Sequence, residues 1–225
     1  MERLKGRIAY LETSRGCPFS CSFCLSGVKE KVRFFEMERA KENLVRLANS
    51  GAKTIKFIDR TFNCHPDRAY ELLSFILDQR GQTFPEDVCF HFEVGADLFQ
   101  PRFLALLATA PPGLIQIEAG LQSFCETTLE AVDRKTDLTV LTENLRQCIR
   151  PHNVHVHIDL IAGLPYEDYK TFAASFNSAF ALRPHMLQMG FLKLLYGSKL
   201  RRQAETRADF GYQFSELAPY EVQQT

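Results

Sequence analysis

Short apolar segments alternate with amphipathic segments along the whole chain, and this alternation constrains the fold more than any other feature. Segment 54–59 has the length and β-branched content of a strand, while segment 66–79 carries apolar residues at helical spacing and ends before Gly81. Six strand-then-helix units predict parallel strands joined by right-handed helical crossovers. A closed eight-fold barrel takes about 250 residues, so the chain is predicted to be an α/β protein with an incomplete parallel (β/α)6 barrel. The predicted strands are 7–12, 54–59, 88–94, 114–121, 154–161 and 186–195, and the predicted helices are 37–48, 66–79, 101–108, 126–149 with a break near 133–137, and 166–182.

Polar and apolar side chains alternate within the third, fourth and fifth predicted strands. In the third strand Phe90 and Phe92 point to one face of the sheet, while His91 and Glu93 point to the other. Helices cover the outside of such a barrel, so the apolar faces are predicted to point outward and the polar faces inward. Carboxylates, amides and imidazoles are costly to bury unless a polar ligand or water satisfies them. For the two histidines of the fifth strand, hydrogen-bonded core positions are favoured over a ligand role. The inward polar residues are Cys89, His91, Glu93, Gln116, Glu118, Gln122, His155, His157 and Asp159.

A loop with three closely spaced cysteines follows the first predicted strand. Cys17, Cys21 and Cys24 are better placed to bind one metal centre than to form disulfides. A structural zinc site and a four-iron cluster held entirely by protein both take four ligands, so three thiolates leave one position open. An open position can bind and activate a small molecule. A zinc site completed by His65 or Cys64 is the alternative.

The carboxyl ends of parallel strands meet at one mouth of a barrel, where such folds carry their active sites. The predicted strands therefore bring several polar segments to the cysteine loop. This convergence predicts a single site. The candidates are segment 59–63, Glu93, segment 120–124, Asp159, segment 163–165 and Lys193.

Composition excludes several classes of function. The chain of 225 residues is 45% hydrophobic and 24% charged, as in ordinary globular proteins, and its net charge of zero gives no basic excess for nucleic acid. No apolar run reaches the roughly 18 residues that cross a bilayer, so neither nucleic acid nor membrane is an expected partner. The first seven residues lack the apolar centre of a signal peptide, so a reducing cytoplasm is expected. The remaining cysteines are expected to be buried, and contact with substrate or a second cofactor is the minor alternative for two of them, Cys64 and Cys125.

Segments 13–24, 119–124 and 158–165 resemble the radical S-adenosylmethionine (SAM) core, whose signature is Cys-x-x-x-Cys-x-aromatic-Cys. More narrowly, they resemble the branch that contains oxygen-independent coproporphyrinogen oxidase, the anaerobic magnesium-protoporphyrin ester cyclase and the cobalamin-associated radical enzymes. The resemblance implies that the three cysteines bind a [4Fe-4S] cluster, and that SAM chelates the open iron through its amine and carboxylate. The implied SAM contacts are Phe23 on the adenine, the backbone at Asp59, Arg60 and Thr61 for the methionyl amine, Glu93, Gln122, Arg134 and Asp159 for the ribose and methionine moieties, and the Lys193 region along the adenine.

The same resemblance implies a radical reaction. The cluster would be reduced at low potential by a donor such as flavodoxin or ferredoxin, and SAM would be cleaved to methionine and a 5′-deoxyadenosyl radical. The radical would abstract hydrogen from an unidentified small molecule, with a tetrapyrrole-like compound as one candidate, in an oxidoreductase or cyclase-like reaction. The alternatives are a haem-carrying relative of coproporphyrinogen oxidase and a zinc-stabilised barrel without redox chemistry.

The sequence departs from the family pattern in two respects. Asp59 and Arg60 replace the small, glycine-rich motif of the second strand, which leaves open how the methionyl amine is bound. Residues 1–200 are expected to form the partial barrel, and residues 201–225 an extension that leads toward a missing region. Many relatives carry an N-terminal cobalamin-binding domain, and none is expected within these residues, which begin almost at the first predicted strand. A fragment of a longer protein is therefore expected, with cobalamin bound only outside these residues.

Overall fold

Six parallel strands form one sheet in the computed structural model, which describes residues 4–26 and 31–224. Residues 1–3, which belong to the segment assessed for a signal peptide, lie outside the described part. The strands pair in chain order, and no pairing among the described residues joins the last strand to the first. This order confirms the predicted α/β fold with its six-stranded, barrel-like parallel sheet. The strands are β1 (Ile8–Leu11), β2 (Thr54–Phe57), β3 (Cys89–Val94), β4 (Ile115–Gln122), β5 (His155–Ala162) and β6 (Met186–Phe191).

Helices connect the strands, and their ends follow local capping rather than periodicity alone. Within the described residues, none of them is long and apolar enough to cross a membrane. The last crossover helix begins three residues later than predicted because Asp168 caps it by accepting a hydrogen bond from Thr171 N at 2.8 Å. The predicted break near 133–137 is confirmed, and the helix after residue 198 was not predicted. The helices are α1 (Met37–Ala48), α2 (Pro66–Gln79), α3 (Pro101–Ala108), α4 (Glu126–Ala131), α5 (Leu138–Ile149), α6 (Tyr169–Ala181) and α7 (Lys199–Thr206).

The main core lies between the outer face of the sheet and the helices. Phe90 and Ile117 are fully or almost fully buried there, and Phe57, Phe62 and Phe92 pack as one aromatic group with ring centroids 4.3 to 5.3 Å apart. Burying each such side chain contributes about 1.5–3 kcal/mol. Every second residue of β3 and β4 points to the inner face of the sheet, and these inward residues are only partly buried. The predicted direction of the polar and apolar faces is therefore confirmed.

A second apolar cluster packs the end of the chain against the cysteine loop. Its buried members are Val132, Leu164, Leu192, Leu194, Leu200 and Phe210, and Phe23 of the cysteine loop packs on it. Two backbone hydrogen bonds reinforce the contact: Ser22 N donates to Val132 O at 2.8 Å, and Leu200 N donates to Ser22 O at 2.7 Å. The segment after β6 therefore fixes the position of the cysteine loop.

A buried carboxyl joins the loop after β4 to the loop before α6. Glu167 accepts hydrogen bonds from Ser123 Oγ and from Ser175 Oγ, the latter at 3.0 Å, and it is 5% exposed. Burial raises the pKa of Glu167. The folded state therefore favours the protonated form of Glu167. The stabilisation that this proton gives to the folded state is fully present below the ordinary pKa of the carboxyl, and it is lost as pH rises through the pKa of Glu167 in the folded state.

We expect Glu167→Gln to remove this pH dependence, because the amide keeps an acceptor oxygen and does not ionise. The free energy of unfolding of the variant minus that of the wild type should therefore be larger at about pH 8 than at about pH 5. Urea unfolding of both proteins at the two pH values measures the difference. A constant difference would show that ionisation of Glu167 does not contribute to the pH dependence of folding.

Candidate active site

The cysteine loop is closed at its base by a short antiparallel pair of strands, Ser14–Arg15 and Arg33–Phe34. Gly16 adopts a positive φ of 103°, which favours glycine, where the chain leaves this pair. Cys24 N donates to Cys21 O at 3.1 Å and forms a tight turn. The loop thereby carries its three cysteines, all free thiols, over the carboxyl ends of the strands.

All three cysteines line one cavity of about 240 Å³, together with inward residues of β3, β4 and β5. Of the twelve residues predicted for the cluster and SAM, ten line this cavity. Among the described residues, the structure therefore brings most of the predicted set to one place. The ten are Cys17, Cys21, Cys24, Phe23, Arg60, Thr61, Glu93, Gln122, Arg134 and Asp159.

The structure does not bring Asp59 and Lys193 into the cavity. Asp59 lies two positions after the outward residue Phe57 and is directed away from the cavity in the same way. The residue is only 1% exposed, and its carboxylate accepts hydrogen bonds from Thr13 N at 3.0 Å and Thr13 Oγ1 at 2.8 Å. Asp59 thus anchors the chain just before the cysteine loop. Lys193 follows β6, is exposed, and lies with its Nζ 3.8 Å from Glu221 Oε1.

Arg134 links the cysteine loop to β4. Its Nη1 donates to Cys21 Sγ at 3.6 Å, its Nη2 donates to Gly120 O, and its guanidinium lies 6.0 Å from the ring centroid of Phe19. Its Nε is buried without a hydrogen-bond partner within the described part of the chain. The arginine therefore sits beside a thiol with one donor still unsatisfied.

A strained turn places Gln122 at the end of β4. The pairing with β5 shifts register between Gly120 and Gln122, and Gln122 adopts a positive φ of 73°. A non-glycine residue in this region costs of order 1–3 kcal/mol, and such strain concentrates at functional sites. A Cβ added at Gly120 would clash with Gln122 Nε2. The absence of a side chain at position 120 therefore leaves the space that the Gln122 amide occupies.

Charged side chains of the inner wall form one connected group, and two of its members, Glu93 and Glu118, line the same cavity as the cysteines. Lys56 Nζ lies 3.0 Å from Glu118 Oε2 and 3.7 Å from Glu93 Oε1, and His91 Nε2 lies 2.8 Å from Glu118 Oε2. The hydrogen bond from His91, aided by Lys56, holds the pKa of Glu118 well below its ordinary value. Burial raises the pKa of Glu93 and of Asp159, and the charge on Glu118 adds to both shifts.

A sequence model of the radical SAM superfamily matches residues 11–179 of this chain. The chain belongs to the radical SAM superfamily. Membership confirms the predicted resemblance and the predicted cofactors, since this superfamily uses a [4Fe-4S] cluster and SAM.

Curated relatives match a large part of this radical SAM chain. The cobalamin-dependent radical SAM methyltransferase TokK of Streptomyces tokunonensis is 30% identical over 175 residues, which cover 76% of this chain and 25% of TokK. The 2-(S-pantetheinyl)-carbapenam-3-carboxylate methyltransferase of Streptantibioticus cattleyicolor is 29% identical over 175 residues, with the same coverage. The matched region therefore spans about a quarter of the length of these relatives.

Solved structures show the same fold. The radical SAM methyltransferase TsrM from Kitasatospora setae, solved with cobalamin and a [4Fe-4S] cluster bound, has a TM-score of 0.80 at 19% identity, and the match covers 96% of this chain and 43% of that chain. The coproporphyrinogen III oxidase HemN from Escherichia coli has a TM-score of 0.60 at 18% identity, covering 94% of this chain and 55% of that chain.

The residues present fit the two cofactors of the superfamily. Cys17, Cys21 and Cys24 supply three free thiols on one cavity, which is the donor set for three irons of a cluster. Arg134, whose Nε has no hydrogen-bond partner among the described residues, lines the same cavity as the Gln122 amide, so polar groups for a ligand lie beside the thiols. The radical SAM core is therefore equipped for a cluster with SAM next to it.

Several cavity residues were missed at the level of sequence. Glu118 was placed on the inner wall by strand alternation but was not assigned to the site. Phe19 lies inside the cysteine motif and Gly95 directly follows β3, but neither position was predicted to belong to the site. Cys64 and Cys125 do not line the cavity. Burial raises the pKa of Cys64 to about 11, so this thiol stays protonated near neutral pH.

Proposed function

We propose that this chain is the SAM-binding and SAM-cleaving core of a cobalamin-associated radical SAM methyltransferase that acts on a small molecule. The observation that carries the proposal is the convergence of Cys17, Cys21 and Cys24 with Glu93, Gln122 and Asp159 on one cavity. Two curated relatives are named methyltransferases, and one of them is named cobalamin-dependent. Methyl transfer is therefore favoured over the oxidoreductase or cyclase-like reaction and the tetrapyrrole-like substrate expected from the sequence.

The three thiolates would hold the cluster, which supplies, when bound, the low-potential electron that cleaves the sulfonium of SAM. The ring of Phe23 offers an apolar face for the adenine. Glu93 and Asp159 offer acceptors for the ribose hydroxyls, and Arg134 and Gln122 offer donors for the methionyl carboxylate.

At the end of β2, the backbone at Arg60 and Thr61 would bind the methionyl amine, whereas Asp59 fixes the loop from behind. The proposed reaction also requires an external low-potential electron donor and a small-molecule substrate. Cobalamin would bind to a region outside these residues.

The proposal predicts that Gly120→Ala weakens SAM binding without unfolding the protein. The new Cβ would clash with Gln122 Nε2, the flexible end of that side chain, so we expect the amide to be displaced from its present position while the backbone stays in place. Loss of the hydrogen bonds between the Gln122 amide and SAM should raise the Kd of SAM roughly tenfold. Calorimetry on the reconstituted protein measures this Kd.

Gly190→Ala on β6 is the matched control, because the nearest atom to its added Cβ is Leu160 O at an ordinary 3.9 Å. This variant should keep the wild-type affinity. Unchanged SAM affinity in Gly120→Ala would show that Gln122 does not contribute to SAM binding.

The proposed reaction is tested anaerobically with the reconstituted protein, dithionite, SAM and hydroxocobalamin. Chromatography should detect 5′-deoxyadenosine from SAM cleavage and S-adenosylhomocysteine from methyl transfer. 5′-Deoxyadenosine without S-adenosylhomocysteine would retain the SAM-cleaving core but contradict methyl transfer. Absence of both products, together with tight haem binding, would favour the haem-carrying alternative.

A further inference from the structure

Three ligand-type side chains, none of them a cysteine, meet in the inner wall of the sheet, and two of them also line the cavity of the cysteine loop. Each offers one ligand atom, and these three atoms lie within 4.8 Å of one another; the residues are Glu118 on β4 and His157 and Asp159 on β5. Glu118 and His157 occupy paired positions in the register of the two strands, and Asp159 follows on the same face. The regular pairing of β4 with β5 therefore creates the group.

Two atoms of this group are buried and have no hydrogen-bond partner in the described part of the chain. They are His157 Nε2 and Asp159 Oδ1, and His157 as a whole is 9% exposed. The two atoms lie 3.0 Å apart, yet they do not have the geometry of a hydrogen bond. Two neighbouring ligands of one ion, each about 2.1 Å from it at a right angle, are separated by about 3 Å. Their spacing therefore matches that of adjacent metal ligands.

The charge of the surrounding wall also favours a cation. Glu93, Glu118 and Asp159 bring three carboxyl groups together, and among the described residues Lys56 is the one lysine or arginine within 4.0 Å of any of them. Glu118 Oε2 is already engaged by Lys56 and His91, which leaves its other oxygen available. Buried carboxylates are stable when they are paired or coordinate a metal.

We propose that Glu118, His157 and Asp159 form a second metal site, for one divalent first-row ion with oxygen and nitrogen ligands. Imidazole with carboxylates suits Mn²⁺, Fe²⁺ or Zn²⁺, and water would complete the coordination. The ion orients two carboxylates on the wall of the cavity, and Asp159 keeps a second oxygen for a ligand in that cavity. The site depends neither on methyl transfer nor on the three cysteines.

Mn²⁺ is the probe that separates this site from the cysteines, because it prefers oxygen and nitrogen ligands to thiolates. The reconstituted, oxidised protein is titrated with Mn²⁺ under anaerobic conditions, and the free ion is counted by electron paramagnetic resonance. We expect one bound Mn²⁺ per chain and, in pulsed spectra, a ¹⁴N coupling from the imidazole of His157.

His157→Gln should remove the nitrogen coupling and weaken Mn²⁺ binding by about tenfold or more. His155→Gln is the matched control, since His155 lies on the same strand and face but outside the group. It should retain both the coupling and the affinity. If His157→Gln fails to fold, Asp159→Asn is titrated in its place and should show the same loss of affinity.

Three results would overturn the proposal: no bound Mn²⁺ in the wild-type protein, a nitrogen coupling that persists in His157→Gln, or release of the ion when SAM is added. The last result would show that the ion had occupied the SAM site itself.

Discussion

Replacing Cys21 by alanine is expected to abolish cluster assembly. Cys21 is buried in the centre of the loop, and Arg134 Nη1 donates to its sulfur at 3.6 Å. Without this thiolate only Cys17 and Cys24 remain as ligands, which is too few to hold a four-iron cluster. After anaerobic reconstitution the wild type should contain about four irons per chain, and Cys21→Ala should contain almost none, as measured by iron and sulfide analysis and by visible absorbance.

The matched control is Cys89→Ala, which removes a half-buried cysteine of β3 that does not line the cavity. This variant should keep the iron content and absorbance of the wild type. Normal iron content in Cys21→Ala would contradict the assignment of its sulfur as a ligand. Far-UV circular dichroism of both variants shows whether a loss of iron follows from unfolding.

Replacing Asp59 by alanine is expected to cause the largest loss of stability. The change leaves Thr13 N, Thr13 Oγ1 and Ser14 Oγ, all buried donors, without their acceptor. Hydrogen bonds to a charged group contribute about 1.5–3 kcal/mol each, and a buried donor left unpaired is costly. We expect the free energy of unfolding to fall by about 3 kcal/mol or more, and iron content to fall because the cysteine loop loses its anchor.

Asp87→Ala is the control for this prediction. Asp87 pairs with Lys53 on the surface, where solvent screens the interaction, so its removal should change stability little. Urea unfolding of the three proteins gives the comparison. If Asp59→Ala kept wild-type stability and iron content but lost SAM affinity, Asp59 would contact the ligand rather than support the loop.

Strand alternation explains why the fold and the strand residues of the site could be predicted from the sequence. A side chain in a strand must point to one face or the other, so Phe92 and Glu93 separate to the core and to the cavity. The carboxyl ends of parallel strands share one edge, which brings Glu93, Gln122 and Asp159 to the cysteines.

Positions beyond the strand ends could not be predicted in this way, because loop conformation depends on distant contacts. Asp59 follows β2 and turns toward Thr13, and Lys193 follows β6 and lies near Glu221. The contact of Arg134 with Cys21 joins residues that are 113 positions apart, and no periodic pattern encodes it.

Strain and tertiary packing were also invisible in the sequence. The positive φ of Gln122 depends on the register shift beside Gly120, which the alternation of β4 does not reveal. The packing of Phe23 against the second apolar cluster, which includes Leu200 and Phe210, required the structure as well.

The central claim is that three thiolates leave one iron of the cluster open and that SAM occupies it from the same cavity. Its most direct test is the electron paramagnetic resonance spectrum of the dithionite-reduced cluster, recorded with and without SAM. The account predicts a spectrum whose g values change when SAM is added, and a weaker response in Gly120→Ala at limiting SAM. Identical spectra at saturating SAM, from protein with a full complement of iron and sulfide, would contradict it.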